Sequence, residues 1–153
     1  MTEIKRFEDL KCWQEARVLV KHIFLLAARG ELAKEFTLTN QLKRASLSMM
    51  NNIAEGFSRY HKNDFIRFLD YSQSSSEEVK SLLYVIRDLD MMPEDKVDRL
   101  QKQCEKTRKL TLGLLKHVKK TLSEYNRDSV REEELKYELS TDTNWHLPEE
   151  TVD

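Results

Sequence analysis

Residues 41–56 constrain the fold of this chain more than any other segment, because they are apolar on two adjacent faces of a helix. Steps of three and four residues place one apolar set on a single face: Leu42, Ala45, Met49, Ile53 and Tyr60. A second apolar strip lies about a quarter turn away: Leu47, Met50, Ala54 and Phe57. Because a helix with two apolar faces must be covered by more than one neighbour, this segment predicts a helix inside a bundle.

A line of small or polar residues runs along the same segment. Ser48, Asn52 and Gly56 follow one another at four-residue spacing, so they share one face of the helix. Small side chains allow another backbone to approach closely. The line therefore predicts a position where a neighbouring helix packs near the backbone of this one.

The rest of the chain favours helices and little else. It has 153 residues, enough for one domain with a real core, and only 3 Gly and 2 Pro. Charged residues make up 35% of the chain and alternate with apolar ones at helical period. We therefore expect an all-α, water-soluble protein.

The apolar period predicts four helices, at about residues 8–29, 39–60, 63–91 and 93–125. Gly30 is a suitable C-terminal stop for the first helix, Thr39 a suitable N-cap for the second, and Pro93 fits the first turn of the fourth. Short links favour antiparallel neighbours, so the expected architecture is an up-down-up-down four-helix bundle over residues 1–125. Residues 72–76 of the third helix are Ser-Gln-Ser-Ser-Ser, which predicts close helix packing rather than a catalytic serine.

The segment 126–153 differs from the bundle in charge and periodicity. It contains three basic and nine acidic residues, whereas the first 125 residues have a surplus of five positive charges. The helical period fades after Tyr125, so we expect an acidic tail that is mostly disordered or is ordered by a partner. Trp145 is an unusual residue to leave in water without a docking site.

A basic stripe on the fourth helix is the strongest candidate for partner binding. Six cations fall within about 100° of arc, opposite the apolar stripe: Arg99, Lys102, Lys106, Lys109, Lys116 and Lys120. Such a stripe suits a phosphate backbone. The alternative is an ordinary solvent-exposed helix face, which shows the same charge pattern. The fourth helix lacks the interleaved aromatic residues that single-strand binders use for stacking, so we expect salt-sensitive binding with little sequence specificity. The acidic tail would compete for the same stripe.

Several short motifs resemble those of bacterial four-helix-bundle proteins encoded in intervening sequences of large-subunit ribosomal RNA genes. The motifs are Phe7-Glu8-Asp9-Leu10, Trp13-Gln14, Gln41-Leu42, Arg44-Ala45, Ser48, Asn52-Ile53-Ala54-Glu55-Gly56, Phe65, Arg67-Phe68-Leu69, Ser75 and Glu78. The resemblance implies a bundle that assembles into a ring-like homopentamer. The same fold is shared by the accessory variability proteins of diversity-generating retroelements, which bind nucleic acid and a reverse transcriptase. Ser74 departs from the family, in which Gly is usual at that place.

Residues in the second helix are better suited to packing and assembly than to chemistry: Gln41, Arg44, Asn52, Glu55 and Gly56. Arg44 and Glu55 are eleven residues apart on one helix and cannot touch there, so we expect Glu55 to bond a neighbouring helix or subunit. Neither the histidines nor the two cysteines show metal-ligand spacing, and no glycine-rich phosphate loop is present. No metal or cofactor is expected.

The sequence therefore predicts a non-enzymatic, cytoplasmic homo-oligomer that binds nucleic acid, with structured RNA as the leading candidate. No membrane partner is expected, since no apolar run reaches 18 residues. The alternative is a protein-interaction scaffold, such as an accessory subunit that docks a reverse transcriptase or another protein without touching nucleic acid.

Overall fold

A computed structural model describes the backbone of residues 4–141 and the side chains of residues 4–136. Over these residues the chain is all-α and has no strand. Its four α-helices are α1 (Lys11–Ala27), α2 (Phe36–Phe57), α3 (Lys62–Asp88) and α4 (Glu94–Thr141). Short 3-10 helices at Phe7–Asp9 and Leu32–Lys34 precede α1 and α2. None of the described helices is long and apolar enough to cross a membrane.

The helices are arranged as an antiparallel bundle. Contacts between α2 and α3 pair a later residue of one helix with an earlier residue of the other, since Ser48 meets Ser75 whereas Gly56 meets Phe68. Hydrogen bonds with the same reversed order join α3 to α4, and others join α4 to α1: Gln73–Arg108, Arg87–Gln101 and Gln103–Glu15. The predicted up-down-up-down bundle is confirmed.

Two apolar clusters fill the bundle, one towards each end. The first lies near the α1–α2 and α3–α4 connections and includes Leu19, Ile23, Leu42, Leu83 and Leu100. The second lies near the α2–α3 connection and includes Leu10, Ala16, Ile53, Leu69 and Val118. Between them on α3 and α4 lies a layer of buried hydroxyl groups, here called the hydroxyl belt: Ser72, Ser75, Ser76, Thr107 and Thr111. Small serine and threonine side chains make the middle of the bundle narrow and polar.

Helices α2 and α3 approach each other closely at Gly56. A Cβ atom at this position would lie 2.7 Å from the Cβ of Phe68 and 3.0 Å from the ring of Phe65. Eight residues earlier on α2, the Ser48 hydroxyl forms a hydrogen bond of 2.9 Å with the Ser75 hydroxyl of α3. This contact line between α2 and α3, called the α2–α3 seam below, depends on the line of small residues that the sequence indicated.

The helix termini agree only in part with the sequence. Gly30 follows α1 with φ of +61°, the left-handed conformation predicted for a helix stop. The N-cap prediction for Thr39 is wrong, because α2 begins at Phe36 and the Glu35 carboxylate accepts a hydrogen bond from the Thr37 N–H. The Thr39 hydroxyl instead donates to the Leu32 carbonyl oxygen at 2.7 Å and holds the preceding 3-10 turn. Pro93 directly precedes α4, and its carbonyl oxygen accepts hydrogen bonds from the N–H groups of Lys96 and Val97.

The fourth helix continues to Thr141, beyond its predicted end at about Tyr125. The apolar period fades there, but residues 126–141 contain no Gly or Pro and are rich in Glu, Arg, Lys and Leu, which favour a helix without a packed face. Residues 126–141 are therefore helical rather than irregular. The remaining part of the predicted tail, residues 142–153 with Trp145, lies outside the described residues. The described chain falls into two compact units that divide between Lys119 and Lys120, and the sequence-based domain boundary at residue 125 stays a prediction.

Candidate nucleic-acid interface

Five of the six predicted cations lie exposed along α4 in the first compact unit. They are Arg99, Lys102, Lys106, Lys109 and Lys116, and this set is called the basic face below. The opposite side of α4 is buried in the bundle through Val97, Leu100, Cys104, Thr107, Thr111, Leu115 and Val118. Because the buried stripe fixes the rotation of α4, the basic face is directed away from the core.

Two acidic residues of α4, Asp98 and Glu105, are engaged on the side of α3. The Glu105 carboxylate accepts a hydrogen bond of 2.8 Å from Arg108 and lies 3.7 Å from Lys80 of α3. Hydrogen bonding to the Arg108 guanidinium lowers the pKa of Glu105, so that this carboxylate stays ionised and paired. Asp98 forms an ion pair with Arg87 of α3. The carboxylates are thereby separated from the basic face.

One member of the basic face is partly neutralised by α1. Lys106 Nζ lies 2.9 Å from Glu15 Oε1, and Gln103 donates to the other oxygen of the same carboxylate at 2.7 Å. The hydrogen bond from Lys106 contributes most, and that from Gln103 next, to lowering the pKa of the Glu15 carboxylate. The other four cations of the basic face form no ion pair with any described residue. Most of the positive charge is therefore available to an external anion.

Helix α1 adds further basic residues beside α4, and the sequence reasoning missed them. His22 of α1 and Arg29, in the turn after α1, line a groove of about 250 Å³ together with Lys96 and Arg99 of α4. A signal was present, because positions 22 and 29 are two turns apart and share one face of the helix predicted at about residues 8–29. A charge pattern along one helix does not show this group, because it forms only when α1 and α4 pack side by side.

The sixth predicted cation, Lys120, belongs to the second compact unit. Its Nζ lies 3.9 Å from Glu124 Oε1, one turn along the helix. The side chains of residues 124–128 and 130–136 are exposed, and they include five carboxylates: Glu124, Asp128, Glu132, Glu133 and Glu134. The predicted role of Lys120 in binding stays a prediction.

The five residues predicted for assembly do not form one site. Gly56 is buried against α3, whereas Asn52 donates a hydrogen bond of 2.8 Å to the Ser48 carbonyl oxygen within α2. Glu55 pairs with Arg59 at 2.6 Å, four residues along the chain, rather than with another helix of the bundle. Gln41 is half-buried. Arg44 is exposed and lines a shallow cavity that also contacts Glu78 of α3, so its side of the bundle is accessible to another molecule.

The described side chains form no cluster that could hold a metal ion. No group of three His, Cys, Asp or Glu residues among them converges on one point. Both cysteines are free and buried. Burial raises the pKa of Cys12 to about 11 and that of Cys104 to about 12, so both are protonated and weakly nucleophilic at neutral pH.

Residues 8–113 match the family model described as 23S rRNA-intervening sequence protein. The chain belongs to this family. The match covers α1, α2, α3 and α4 as far as Gly113, and so includes Arg99, Lys102, Lys106 and Lys109 of the basic face and all five residues predicted for assembly. It ends before Lys116 and before the second compact unit. No curated protein matches the chain.

One solved structure resembles this family member closely in fold. It is the crystal structure of a protein of unknown function from the S23 ribosomal protein family of Bacteroides thetaiotaomicron. The two chains share 19% sequence identity with a TM-score of 0.64, and the alignment covers 69% of this chain and 95% of the other. At this identity the likeness supports the shared bundle fold alone.

Proposed function

We propose that this protein is a non-enzymatic RNA-binding bundle whose basic face contacts the phosphate backbone. The observation that carries the proposal is the separation of charge on α4, where the cations of the basic face are exposed while Asp98 and Glu105 are paired on the side of α3. The family is described as 23S rRNA-intervening sequence protein, and this description supports RNA as the nucleic acid that is bound. Arg99 and Lys116 are seventeen residues apart, so the basic face spans about 25 Å of helix.

The chemistry of the basic face predicts how such binding would behave. Lysine and arginine side chains neutralise phosphates and release counterions, so affinity falls steeply as salt rises. Phosphate contacts position the nucleic acid but do not read its sequence. No aromatic side chain stands among the five cations of the basic face. Recognition would therefore depend on the path of the RNA backbone rather than on stacked bases.

A triple charge reversal tests this proposal. In the variant with Lys102→Glu, Lys106→Glu and Lys109→Glu, the affinity for structured RNA should fall about 100-fold or more, and the salt dependence should flatten by about two to three phosphate contacts. The matched control changes the same charge on another surface through Lys34→Glu, Lys62→Glu and Arg67→Glu, all exposed. Binding would be measured by filter retention at several salt concentrations. Equal loss in both variants, or no loss in the first, would contradict the role of the basic face.

We also propose that copies of this protein assemble into a homo-oligomer, with a pentamer as the state that the family resemblance implies. Exposed apolar residues lie at helical spacing along α3 and at its end, namely Tyr71 and Val85 within the helix and Leu89 directly after it, which are 48%, 39% and 54% exposed. Beside them, Arg44 and Glu78 line one cavity as a cation and an anion that make no ion pair with each other. Analytical ultracentrifugation of Tyr71→Glu should show a smaller species than the unmodified protein; an unchanged species would exclude this surface.

The alternative function is a scaffold that docks a partner protein, such as a reverse transcriptase, without binding nucleic acid. The same exposed apolar residues along α3 favour it, because apolar side chains at helical spacing suit a protein surface better than a phosphate backbone. An unchanged RNA affinity in the triple charge-reversal variant, together with loss of partner binding in Tyr71→Glu, would support this alternative.

The acidic segment after Tyr125 is proposed to weaken RNA binding by competition. It carries three basic and nine acidic residues, so its field opposes phosphates. Truncation after Tyr125 should strengthen RNA binding, most strongly at low salt, where charge acts over the longest distance. Equal binding of truncated and full-length protein at every salt concentration would show that the segment does not compete.

A further inference from the structure

The groove between α1 and α4 gathers several positive charges into one concavity. It has a volume of about 250 Å³ and is lined by His22, Arg29, Lys96 and Arg99, with leucine side chains beneath them. No carboxylate lines it. Outside the lining, the exposed Asp95 carboxylate lies 3.9 Å from Lys96 Nζ. Three permanent cations and one histidine therefore share one small concavity.

The three positive charges of the groove exceed the single negative charge of one internal RNA phosphate. A phosphodiester carries a single negative charge, whereas a terminal phosphate monoester carries between one and a half and two charges at neutral pH, by analogy with phosphorylated side chains. Arginine binds such groups through paired N–H donors, and charge-assisted hydrogen bonds are about twice as strong as neutral ones. The groove therefore suits the end of a strand better than its interior.

A second cavity adjoins the first and is chemically different. It has a volume of about 270 Å³ and shares Leu26, Arg29 and Lys96 with the groove. Its remaining lining is Gly30, Met91, Met92 and Pro93. Thioether and pyrrolidine groups offer a polarisable apolar surface, and the flat Arg29 guanidinium can stack on a base. An apolar slot beside a cationic groove matches the two parts of a nucleotide.

We propose that these adjoining cavities bind the phosphorylated terminal nucleotide of an RNA strand. The phosphate lies among Arg29, Lys96 and Arg99, and the base lies against Leu26, Met91 and Pro93. The proposal rests on the proposed RNA binding, to which it adds recognition of a strand end. The basic face then holds the backbone that leads away from that end.

Anisotropy titrations with fluorescent single-stranded RNA test the proposal. One sequence is prepared with a 5′-phosphate, with a 3′-phosphate and with hydroxyl groups at both ends, and all three RNAs carry the same dye on the same internal base. At least one phosphorylated form should bind the full-length protein about tenfold more tightly than the hydroxyl form. The two phosphorylated forms show which end is recognised.

Variants separate the cavities from the basic face. Arg29→Gln with Lys96→Gln should abolish the preference for the phosphorylated end, while Met91→Ala should reduce it by a few fold. The matched control, Arg17→Gln with Lys21→Gln, removes the same charge from exposed positions of α1 outside both cavities and should keep the preference. The triple charge reversal of the basic face should weaken the binding of all three RNAs equally. It should also keep the preference for the phosphorylated end. Thermal unfolding of each variant checks that the bundle is intact.

The outcomes distinguish this proposal from the proposed function. If wild-type protein binds all three RNAs with equal affinity, RNA binding stands and the terminal-nucleotide site is overturned; the same holds if the preference survives Arg29→Gln with Lys96→Gln. If no RNA binds, adenosine and uridine 5′-monophosphates are titrated by calorimetry. Binding that Arg29→Gln with Lys96→Gln abolishes would keep the site and overturn RNA binding. Absence of nucleotide binding as well would overturn both.

Discussion

The α2–α3 seam and the contact line between α1 and α4 hold the same bundle together in opposite ways. Along the α2–α3 seam the helices are close, and the contacts are short hydroxyl bonds and the bare backbone of Gly56. Between α1 and α4, long side chains such as Glu15, Gln103 and Lys106 bridge the helices, and open cavities remain nearby. At Gly56 the first interface is closed by direct backbone contact, whereas the second combines an open groove with several positive charges.

This difference assigns separate tasks to the two sides of one small domain. Close packing of small residues tolerates little change in volume, so the α2–α3 seam chiefly determines the fold. Long charged side chains at a surface contribute little to stability, so the α1–α4 side can carry binding residues at a small energetic cost. Substitutions on the two sides should therefore separate loss of stability from loss of binding.

The largest effect on stability is expected from Gly56→Ala. The new Cβ would lie 2.7 Å from Phe68 Cβ, which is attached directly to the α3 backbone and cannot rotate away. The helices must therefore separate, and the free energy of unfolding should fall by about 2 kcal/mol. Urea unfolding followed by circular dichroism measures this change.

Gly113→Ala is the matched control for the first substitution. Gly113 is an exposed residue of α4, and a Cβ there would meet nothing within 4 Å. The same change should raise the free energy of unfolding by about 1 kcal/mol, because alanine is the better helix former. If both variants were equally stable, the close approach of α2 and α3 at Gly56 would be refuted.

A smaller loss is expected from Ser72→Ala within the α2–α3 seam. The buried Ser72 hydroxyl donates a hydrogen bond of 2.8 Å to the Met49 carbonyl oxygen, and its removal should lower the free energy of unfolding by about 1 kcal/mol. Ser74→Ala serves as the control, because the exposed Ser74 hydroxyl bonds only to Asp70 within its own helix. That control should be neutral or slightly stabilising, since alanine has the higher helix propensity. Thermal and urea unfolding of the pair would show whether hydroxyl bonding across the seam stabilises the protein.

The smallest loss is expected from Glu15→Gln between α1 and α4. The Glu15 side chain is 23% exposed and its partner Lys106 is 59% exposed, so the pair should contribute no more than about 1 kcal/mol. Because the folded pKa of Glu15 is lowered, its contribution is present above the unfolded pKa and is lost as the pH falls through the folded value. Unfolding free energies of the two proteins should therefore differ at pH 7 and converge in acid.

Glu15→Gln should also change binding in the opposite direction. Loss of the carboxylate releases Lys106 to an external phosphate, so RNA affinity should rise about twofold at low salt. The variant should thus lower the free energy of unfolding slightly and raise the RNA affinity. No substitution in the α2–α3 seam should have both effects. A fall in RNA affinity would mean that Glu15 positions Lys106 for the RNA rather than withholding it.

Most of the fold could be predicted because it follows from single-helix geometry. The helices predicted at about residues 8–29 and 63–91 correspond to α1 (Lys11–Ala27) and α3 (Lys62–Asp88). The start of α2 could not be predicted, because the Thr39 hydroxyl bonds backward to Leu32 instead of capping the helix. The end of α4 was missed because charged helix formers extend a helix without an apolar period.

The candidate site was predictable only where it lies on one helix. The basic face of α4 follows from the angular spacing of its cations, and those of the first compact unit are exposed as expected. The groove with Arg29 was not foreseen, and neither was the bond between Glu15 and Lys106, which are 91 residues apart in the chain. Such groups form only where distant parts of the chain come into contact in the fold. The spacing of residues along the sequence does not show these contacts.

The hydroxyl belt has a consequence for how the helices are aligned along their axes. Apolar layers repeat from turn to turn, so two such helices could slide past each other by one turn, about 5.4 Å, and still bury leucine against leucine. Directional bonds do not permit this, because a shift would leave Ser72 without the Met49 carbonyl and Ser48 without Ser75. The belt therefore locks the axial register of α2 and α3, a selectivity that apolar burial alone would not provide.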